Sequence, residues 1–223
     1  MDLHAGLDLH SRNTYIGIMD KTLNRVFKKR VPNDLDQILS TLSPFKDRLK
    51  GFVVESTFNW YWLVDGLMDD GYQCVHLANP AAIKQYEGIK YTDDQHDAFF
   101  LAKLLILDIL PEGYIYPKHQ RPIRDLLRRR LMFVRQRTSQ ILSLQSMITR
   151  NRGLNFSGAQ IKRFRDDFID KMFSDRHLVF TAKRNIATIR FLDQIVSEIE
   201  IEVASQIKLK KEFLSLMTIP GIG

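Results

Sequence analysis

Three short runs with an apolar or alternating pattern follow one another at the start of the chain, and they constrain its fold more than any other feature. They read HAGLDLH, TYIGIMD and NRVFKKRV, and only short polar segments separate them. Runs of this length and pattern are typical of β-strands, and connections this short join antiparallel neighbours. The sequence therefore predicts an antiparallel meander at the amino terminus.

The chain then alternates between helix-like and strand-like segments. NDLDQILSTLSPF, FNWYWLVDGLMDDG and DDQHDAFFLAKLLILDIL have helical patterns, whereas GFVVES and YQCVHLAN are short strand-like runs. Pro80 is expected to begin one more short helix, and Gly71 to end another. Alternation of this kind favours parallel strand pairs, so we expect an α/β domain with a mixed sheet over residues 1–115. Cys74, in an apolar context, is expected to be a small core residue.

From Pro122 onward the pattern is helical only. PIRDLLRRRLMFVRQRTSQILSLQSMITRN predicts one long helix, with proline near its start and Gly153 just past its end. A second amphipathic helix is expected from about Ala182 to Leu216. Residues 116–215 should therefore form an antiparallel helical hairpin, or a coiled coil that also pairs between chains.

The positive charge of the chain is concentrated in one segment. The net charge is +7, but residues 1–110 hold 12 Lys/Arg against 15 Asp/Glu, and residues 111–153 hold 10 against 2. Such a local excess is what a surface that binds a polyanion needs, although a solvated helix face is the plainer interpretation. The apolar runs all fall well short of the roughly 18 residues of a membrane helix, so we expect a cytosolic protein.

Four carboxylates stand at positions where acids are unusual or clustered. Asp8 lies within the first strand-like run, Glu55 ends the run GFVVES, and Asp94 and Asp97 lie in the first turn of a predicted helix. Each one alone could be a helix cap or a strand-end acid, and Asp93 is a good cap. Together, four carboxylates would repel one another unless cations lay between them.

Hard oxygen ligands favour Mg²⁺ or Mn²⁺ over Zn²⁺. Two such ions stabilise the attacking and leaving oxygens when a phosphodiester is displaced. The residues therefore suggest a site for two divalent ions, with His10 and His96 beside the acids as surface residues or proton-transfer partners.

The segments GLDLHSRNTYIGIMD, FVVES and KYTDDQHDAFFLAKLL resemble the DEDD motif of a family of bacterial insertion-sequence transposases that includes the Piv invertase. The resemblance implies a RuvC-like, ribonuclease H-like domain followed by a long α-helical coiled-coil hairpin. It assigns catalysis and metal binding to Asp8, Glu55, Asp94 and Asp97, with the choice between Asp93 and Asp94 left open.

The helix LRRRLMFVRQRTSQILSLQSMI resembles the arginine-rich segment of the same family, and LMTIPGIG resembles the opening of its carboxy-terminal domain. We therefore expect residues 216–223 to begin a further domain that carries the nucleophilic serine, which no serine of this chain matches. The arginines expected to contact nucleic acid are Arg121, Arg124, Arg128, Arg129, Arg130, Arg135, Arg137, Arg150 and Arg152.

The resemblance also implies partners. They are DNA, a structured noncoding guide RNA such as some family members bind, and further copies of the chain paired through the long helices. The implied location is the bacterial cytoplasm, at the nucleoid.

Three other interpretations remain open at this level. A RuvC-like nuclease or resolvase would use the same carboxylates with water as the nucleophile. An actin-like ATPase would need glycine and Thr/Ser close after Asp8, where Leu9 and His10 stand instead. A non-catalytic nucleic-acid-binding module would depend on the basic helices alone.

Overall fold

The computed structural model describes residues 1–83, 94–207 and 215, with the side chains of residues 94–96 and 207 outside that description. The chain divides into two compact units, Met1–Ile115 and Tyr116–Gly223. Within the described part of the chain, none of the helices combines the length and apolarity that a membrane span requires.

A six-stranded mixed sheet forms the first unit, with strand order β3-β2-β1-β4-β5-β6. The strands are β1 (Leu3–Leu9), β2 (Asn13–Asp20), β3 (Arg25–Pro32), β4 (Leu49–Glu55), β5 (Val75–Ala78) and β6 (Glu112–Gly113). The first three strands are antiparallel, and β4 and β5 run parallel to β1. This topology is that of the ribonuclease H-like fold and confirms the predicted fold class.

Helices cover both faces of the sheet. They are α1 (Leu35–Leu42), α2 (Tyr61–Asp69), α3 (Pro80–Ile83) and α4 (Asp94–Ile106). On one face, α1 and α2 pack on Leu3, Ala5, Leu7 and Leu9 of β1. On the other, Leu101 and Leu104 of α4 pack on Val53 of β4.

The predicted elements of this unit are all present, but two details were not predicted correctly. Strand β6 has only two residues, too few to give a sequence pattern. Cys74 is exposed rather than buried, because β5 begins only at Val75 and Cys74 lies in the preceding connection with a φ of 56°.

The second unit is an antiparallel hairpin of two long helices, α5 (Arg121–Arg152) and α8 (Arg176–Ile207), with the short helices α6 (Gly158–Lys162) and α7 (Asp166–Met172) between them. The amide of Gln140 in α5 faces that of Asn185 in α8, while Arg130, ten positions earlier, pairs with Glu200. The partners run in opposite directions along the two helices, so the hairpin closes within one chain.

Local signals explain where these helices begin and end. Gly153 ends α5 with a φ of 65°, the left-handed conformation that glycine adopts without strain. Helix α8 begins at Arg176 rather than near Ala182, because the Asp175 carboxylate accepts hydrogen bonds from the backbone amides of His177 and Leu178 at 2.8 and 3.1 Å. The predicted end near Leu216 lies outside the described residues.

Candidate active site

Two of the predicted carboxylates lie on neighbouring parallel strands. Leu7 of β1 pairs with Val54 of β4, so the residues that follow, Asp8 and Glu55, lie side by side at the carboxyl ends of their strands. Asp8 is 3% exposed and Glu55 is half-buried. In open α/β sheets this edge is where ligands bind.

Both carboxylates belong to the sheet face that α4 covers. Successive residues of a strand point to opposite faces, so Asp8 shares a face with Gly6, and Glu55 with Val53. Val53 packs against α4, and a methyl group at Gly6 would meet the α4 backbone. The opposite face of β1 holds its leucines, which explains why an aspartate can stand within an otherwise apolar strand.

Glycines allow α4 to lie unusually close to this face. Gly6 pairs with Gly17 of β2. A methyl group at Gly6 would lie 1.9 Å from the carbonyl oxygen of Ala98, and one at Gly17 would lie 3.0 Å from the Phe99 ring. Asp97 immediately precedes Ala98 on the helix that covers this face, and its side chain is half-buried.

The remaining predicted acids cannot be placed in the same detail. Asp94 is the first residue of α4, and its side chain lies outside the described residues, as does all of Asp93. The side chain of His96 lies outside them too.

The turn that follows Asp8 is held through both the ring and the backbone of His10. Nε2 of His10 lies 2.9 Å from Oδ2 of Asp8. The carbonyl oxygen of His10 accepts hydrogen bonds from Nδ2 of Asn33, at 2.8 Å, and from Nδ2 of Asn59, at 3.1 Å. The two asparagines come from the loops after β3 and β4 and give no signal in the sequence, so sequence reasoning missed them.

The donor set suits a hard divalent ion. Asp8, Glu55 and Asp97 supply only carboxylate oxygens, the ligands that Mg²⁺ and Mn²⁺ prefer. Among the side chains that the structure describes, no group of three or more His, Cys, Asp or Glu residues is arranged to hold a metal ion. Asp94, whose side chain is outside that set, is the fourth residue of the predicted site.

The predicted nucleic-acid-binding arginines, all in the second unit, differ in how exposed their side chains are. Five are exposed along α5: Arg128, Arg129, Arg135, Arg150 and Arg152. Arg124 is half-buried, with its guanidinium 4.5 Å from the centroid of the Tyr116 ring. The exposed group gives α5 a basic surface.

The other three arginines make contacts within the helical unit. Arg121 is 6% exposed and its Nε donates a hydrogen bond to the carbonyl of Tyr116 at 2.7 Å. Arg130 pairs with Glu200, and Arg137 with Asp193. Arg121 is therefore the only one of the nine arginines that is buried, and it holds the start of α5 to Tyr116.

Comparisons with known proteins bear on the family and the fold. The chain matches the IS110 family of DEDD transposases over residues 5–151, from β1 to the end of α5. No curated protein sequence matches it. Among solved structures it is similar to T. thermophilus RuvC in complex with a Holliday junction substrate. The identity is 14%, the TM-score is 0.39, and the match covers 51% of this chain and 100% of that chain. Because the family match spans more than half of the chain, the chain belongs to the IS110 family of DEDD transposases.

Proposed function

We propose that this chain carries the metal-binding catalytic domain of a DNA transposase or site-specific recombinase, which acts on DNA phosphodiesters. The single observation that supports it most is that Asp8 and Glu55 lie side by side at the carboxyl ends of adjacent parallel strands, on the sheet face that α4 covers. Asp8 is only 3% exposed, and an aspartate is an unfavourable choice within a strand, so its position at the carboxyl end of β1 favours a functional role.

In this proposal the divalent ions are held by Asp8, Glu55, Asp94 and Asp97. When bound, the ions would stabilise the attacking and leaving oxygens of the displaced phosphodiester. The ring of His10 orients the Asp8 carboxylate through their 2.9 Å contact. Asn33 and Asn59 fix the turn that carries His10, so this part of the site is rigid before a substrate binds.

Calorimetric titration with Mg²⁺ and Mn²⁺ tests the metal assignment. We expect the wild-type chain to bind about two ions per chain. Asp8→Asn and Asp97→Asn should each abolish or strongly weaken that binding. Asp47→Asn is the matched control, because Asp47 is exposed and lies before β4, at the opposite edge of the sheet. Unchanged binding in both site variants would refute the assignment.

The second unit is assigned to nucleic-acid binding and to pairing between chains. The exposed arginines of α5 supply the cationic surface for DNA and for a structured guide RNA. The same helix exposes 42% of Leu127 and 45% of Leu131, beside Ile123, which is an apolar strip that a second copy could cover. Sedimentation of the wild-type chain and of Leu127→Glu tests the pairing, which the variant should weaken.

The domain assignment is part of the same proposal. Residues 1–115 are assigned to catalysis and residues 116–215 to nucleic-acid binding and pairing. Residues 216–223, expected to begin a further domain, lie outside the described residues. The proposed location is the bacterial cytoplasm, where the DNA substrate is found.

A further inference from the structure

Strand β3 is strongly basic although the unit that contains it is not. Four of its eight residues are basic and none is acidic: Arg25, Lys28, Lys29 and Arg30. Residues 1–110 as a whole carry fewer basic than acidic residues, 12 against 15. Four of those twelve basic residues therefore lie on one strand at the edge of the sheet, without an acidic residue between them.

Cross-strand register places two of these residues on the face that carries the carboxylates. Asp8 pairs with Tyr15 of β2, and Tyr15 pairs with Arg30 of β3. Paired residues of neighbouring strands lie on the same face, so Asp8, Tyr15 and Arg30 form one row across the sheet. In the next row on this face, Gly6 pairs with Gly17 and Gly17 pairs with Lys28.

The distances suit one extended ligand that reaches both groups. Strands β1 and β3 are two strand spacings apart, so the backbones of Asp8 and Arg30 lie about 10 Å from each other. Lys28 and Arg30 are two residues apart on one face, about 7 Å along the strand. Both are exposed, and Nε of Arg30 donates to Oδ1 of Asn13 at 2.9 Å, which holds the guanidinium near the carboxyl end of β1.

Charged residues on an edge strand also have a plainer role, because they prevent edges of two sheets from pairing. That role needs charge on the strand but does not depend on which face the charge occupies. Lys29 lies between Lys28 and Arg30 and belongs to the opposite face, because it pairs with Ile16 of β2, a residue of the core on that face. Lys29 therefore has the same charge and lies on the same strand, but its side chain is on the face away from Asp8.

We propose that Lys28 and Arg30 bind the phosphodiester backbone of the substrate DNA beside the carboxylate site, so that β3 guides the strand toward Asp8. Arg30 presents a planar fork that matches a phosphate, and Lys28 a point charge. The inference rests on the proposed function, because the DNA strand runs from Arg30 toward Asp8 only if Asp8 belongs to the catalytic site.

The test measures binding of the full chain to a fluorescein-labelled DNA duplex and to an RNA duplex of the same sequence, by fluorescence anisotropy over a range of salt concentrations. Measurements are made in EDTA, so that metal binding at the carboxylates does not contribute. We compare the double variant K28A/R30A and each single variant with the control Lys29→Ala. All three positions lie on the surface, and unfolding followed by tryptophan fluorescence verifies that the four variants are folded.

For DNA, K28A/R30A should reduce the slope of log K against log salt by about 2, since each phosphate contact contributes about 0.9. Lys29→Ala should leave the slope close to that of the wild type. Equal losses in Lys29→Ala and in the single variants would overturn the proposal, and so would an unchanged slope in K28A/R30A. A loss confined to RNA would overturn the assignment to DNA.

The two proposals fail separately. If metal binding survives in Asp8→Asn while K28A/R30A still reduces the DNA slope, the metal site is wrong and the DNA surface stands. If metal binding requires Asp8 but the DNA slope does not change in K28A/R30A, the metal site stands and the DNA surface is wrong.

Discussion

Gly6 of β1 lies so close to Ala98 of α4 that a methyl group on Gly6 would be 1.9 Å from the Ala98 carbonyl oxygen and 2.9 Å from the amide nitrogen of Ala102. Neither contact can be relieved by rotating a side chain, because both atoms belong to the helix backbone. This contact sets how near α4, with Asp97, lies to the strand that carries Asp8.

Gly6→Ala should therefore displace α4 and impair metal binding as well as stability. Overpacking of this kind costs about 1–3 kcal/mol. The measurements are urea unfolding followed by tryptophan fluorescence, which reports on the first unit because both tryptophans, Trp60 and Trp62, lie there, and titration with Mg²⁺.

Gly113→Ala is the control for Gly6→Ala. A methyl group at Gly113 would have its nearest contacts with Leu77 at 3.5 Å, an ordinary van der Waals distance. We expect its stability and metal binding to stay near those of the wild type. If Gly6→Ala behaved like Gly113→Ala, the close approach would not position the site.

Asp20 should make the stability of the first unit depend on acidic pH. Its Oδ1 accepts hydrogen bonds from the hydroxyl and amide of Thr22 at 2.7 and 2.8 Å and from the amide of Asn24 at 3.0 Å. These bonds, first the one from the Thr22 hydroxyl, lower the pKa of Asp20 below its usual value. A carboxylate whose pKa is lower in the folded state stabilises the fold above the unfolded-state pKa of about 3.9.

This stabilisation is lost as the pH falls below about 4 and through the lower pKa of the folded state. The difference in unfolding free energy between wild type and Asp20→Asn should accordingly be largest near neutral pH and shrink toward pH 3. Urea unfolding followed by tryptophan fluorescence measures it. A difference that stays constant over this range would contradict the prediction.

Arg137 should contribute to stability and Arg129 to DNA binding, although both belong to the predicted nucleic-acid-binding set. Arg137 is largely buried and pairs with Asp193, which also contacts Lys162 at 2.9 Å, whereas Arg129 is exposed. Arg137→Ala should destabilise the helical unit by about 1.5–3 kcal/mol, as expected for losing a hydrogen bond to a charged group. Arg129→Ala should leave stability unchanged and reduce the salt slope of DNA binding by about 1.

Thermal unfolding followed by circular dichroism and the anisotropy assay separate these two effects. Arg165→Ala is the control for stability, because the Arg165–Asp167 pair is 83% and 64% exposed and such pairs contribute little. A reduced salt slope in Arg137→Ala with unchanged stability would reverse the assignment.

Leu144 should be a main support of the helical hairpin. It is fully buried among Ile148, Ile186 and Ile189. Leu144→Ala should destabilise the second unit by about 2–5 kcal/mol through lost burial and the cavity left behind. Leu142→Ala is the matched control in the same helix, since Leu142 is 59% exposed.

Two probes locate that loss. Circular dichroism should show an earlier transition for Leu144→Ala, while tryptophan fluorescence, which reports only on the first unit, should not change. If Leu144→Ala and Leu142→Ala lowered the stability equally, Leu144 would not belong to the core of the hairpin.

Elements with a strong local signal were predicted correctly, and those without one were not. The meander β1–β3 was predicted because its residues repeat an apolar pattern over short polar connections. Strand β6 was missed because two residues carry no period. The start of α8 was predicted too late, because its cap at Asp175 precedes the apolar stripe from which the helix was inferred.

The candidate site shows the same division. Asp8 and Glu55 stood out because acids are rare within or at the ends of apolar strands. Asn33 and Asn59 did not, since their role depends on the carbonyl of His10, which lies far from both along the chain.

The sequence by itself determined the order of helices and strands, the positions of the acids and the family, because periodicity, capping and motif spacing are local properties. Only the tertiary structure decided which residues share a face: Gly6 beneath Ala98, Asp8 in a row with Arg30, and Arg137 turned to Asp193 while Arg129 stays exposed. Strand register and helix packing set these relationships, and both arise from contacts between residues distant in the chain.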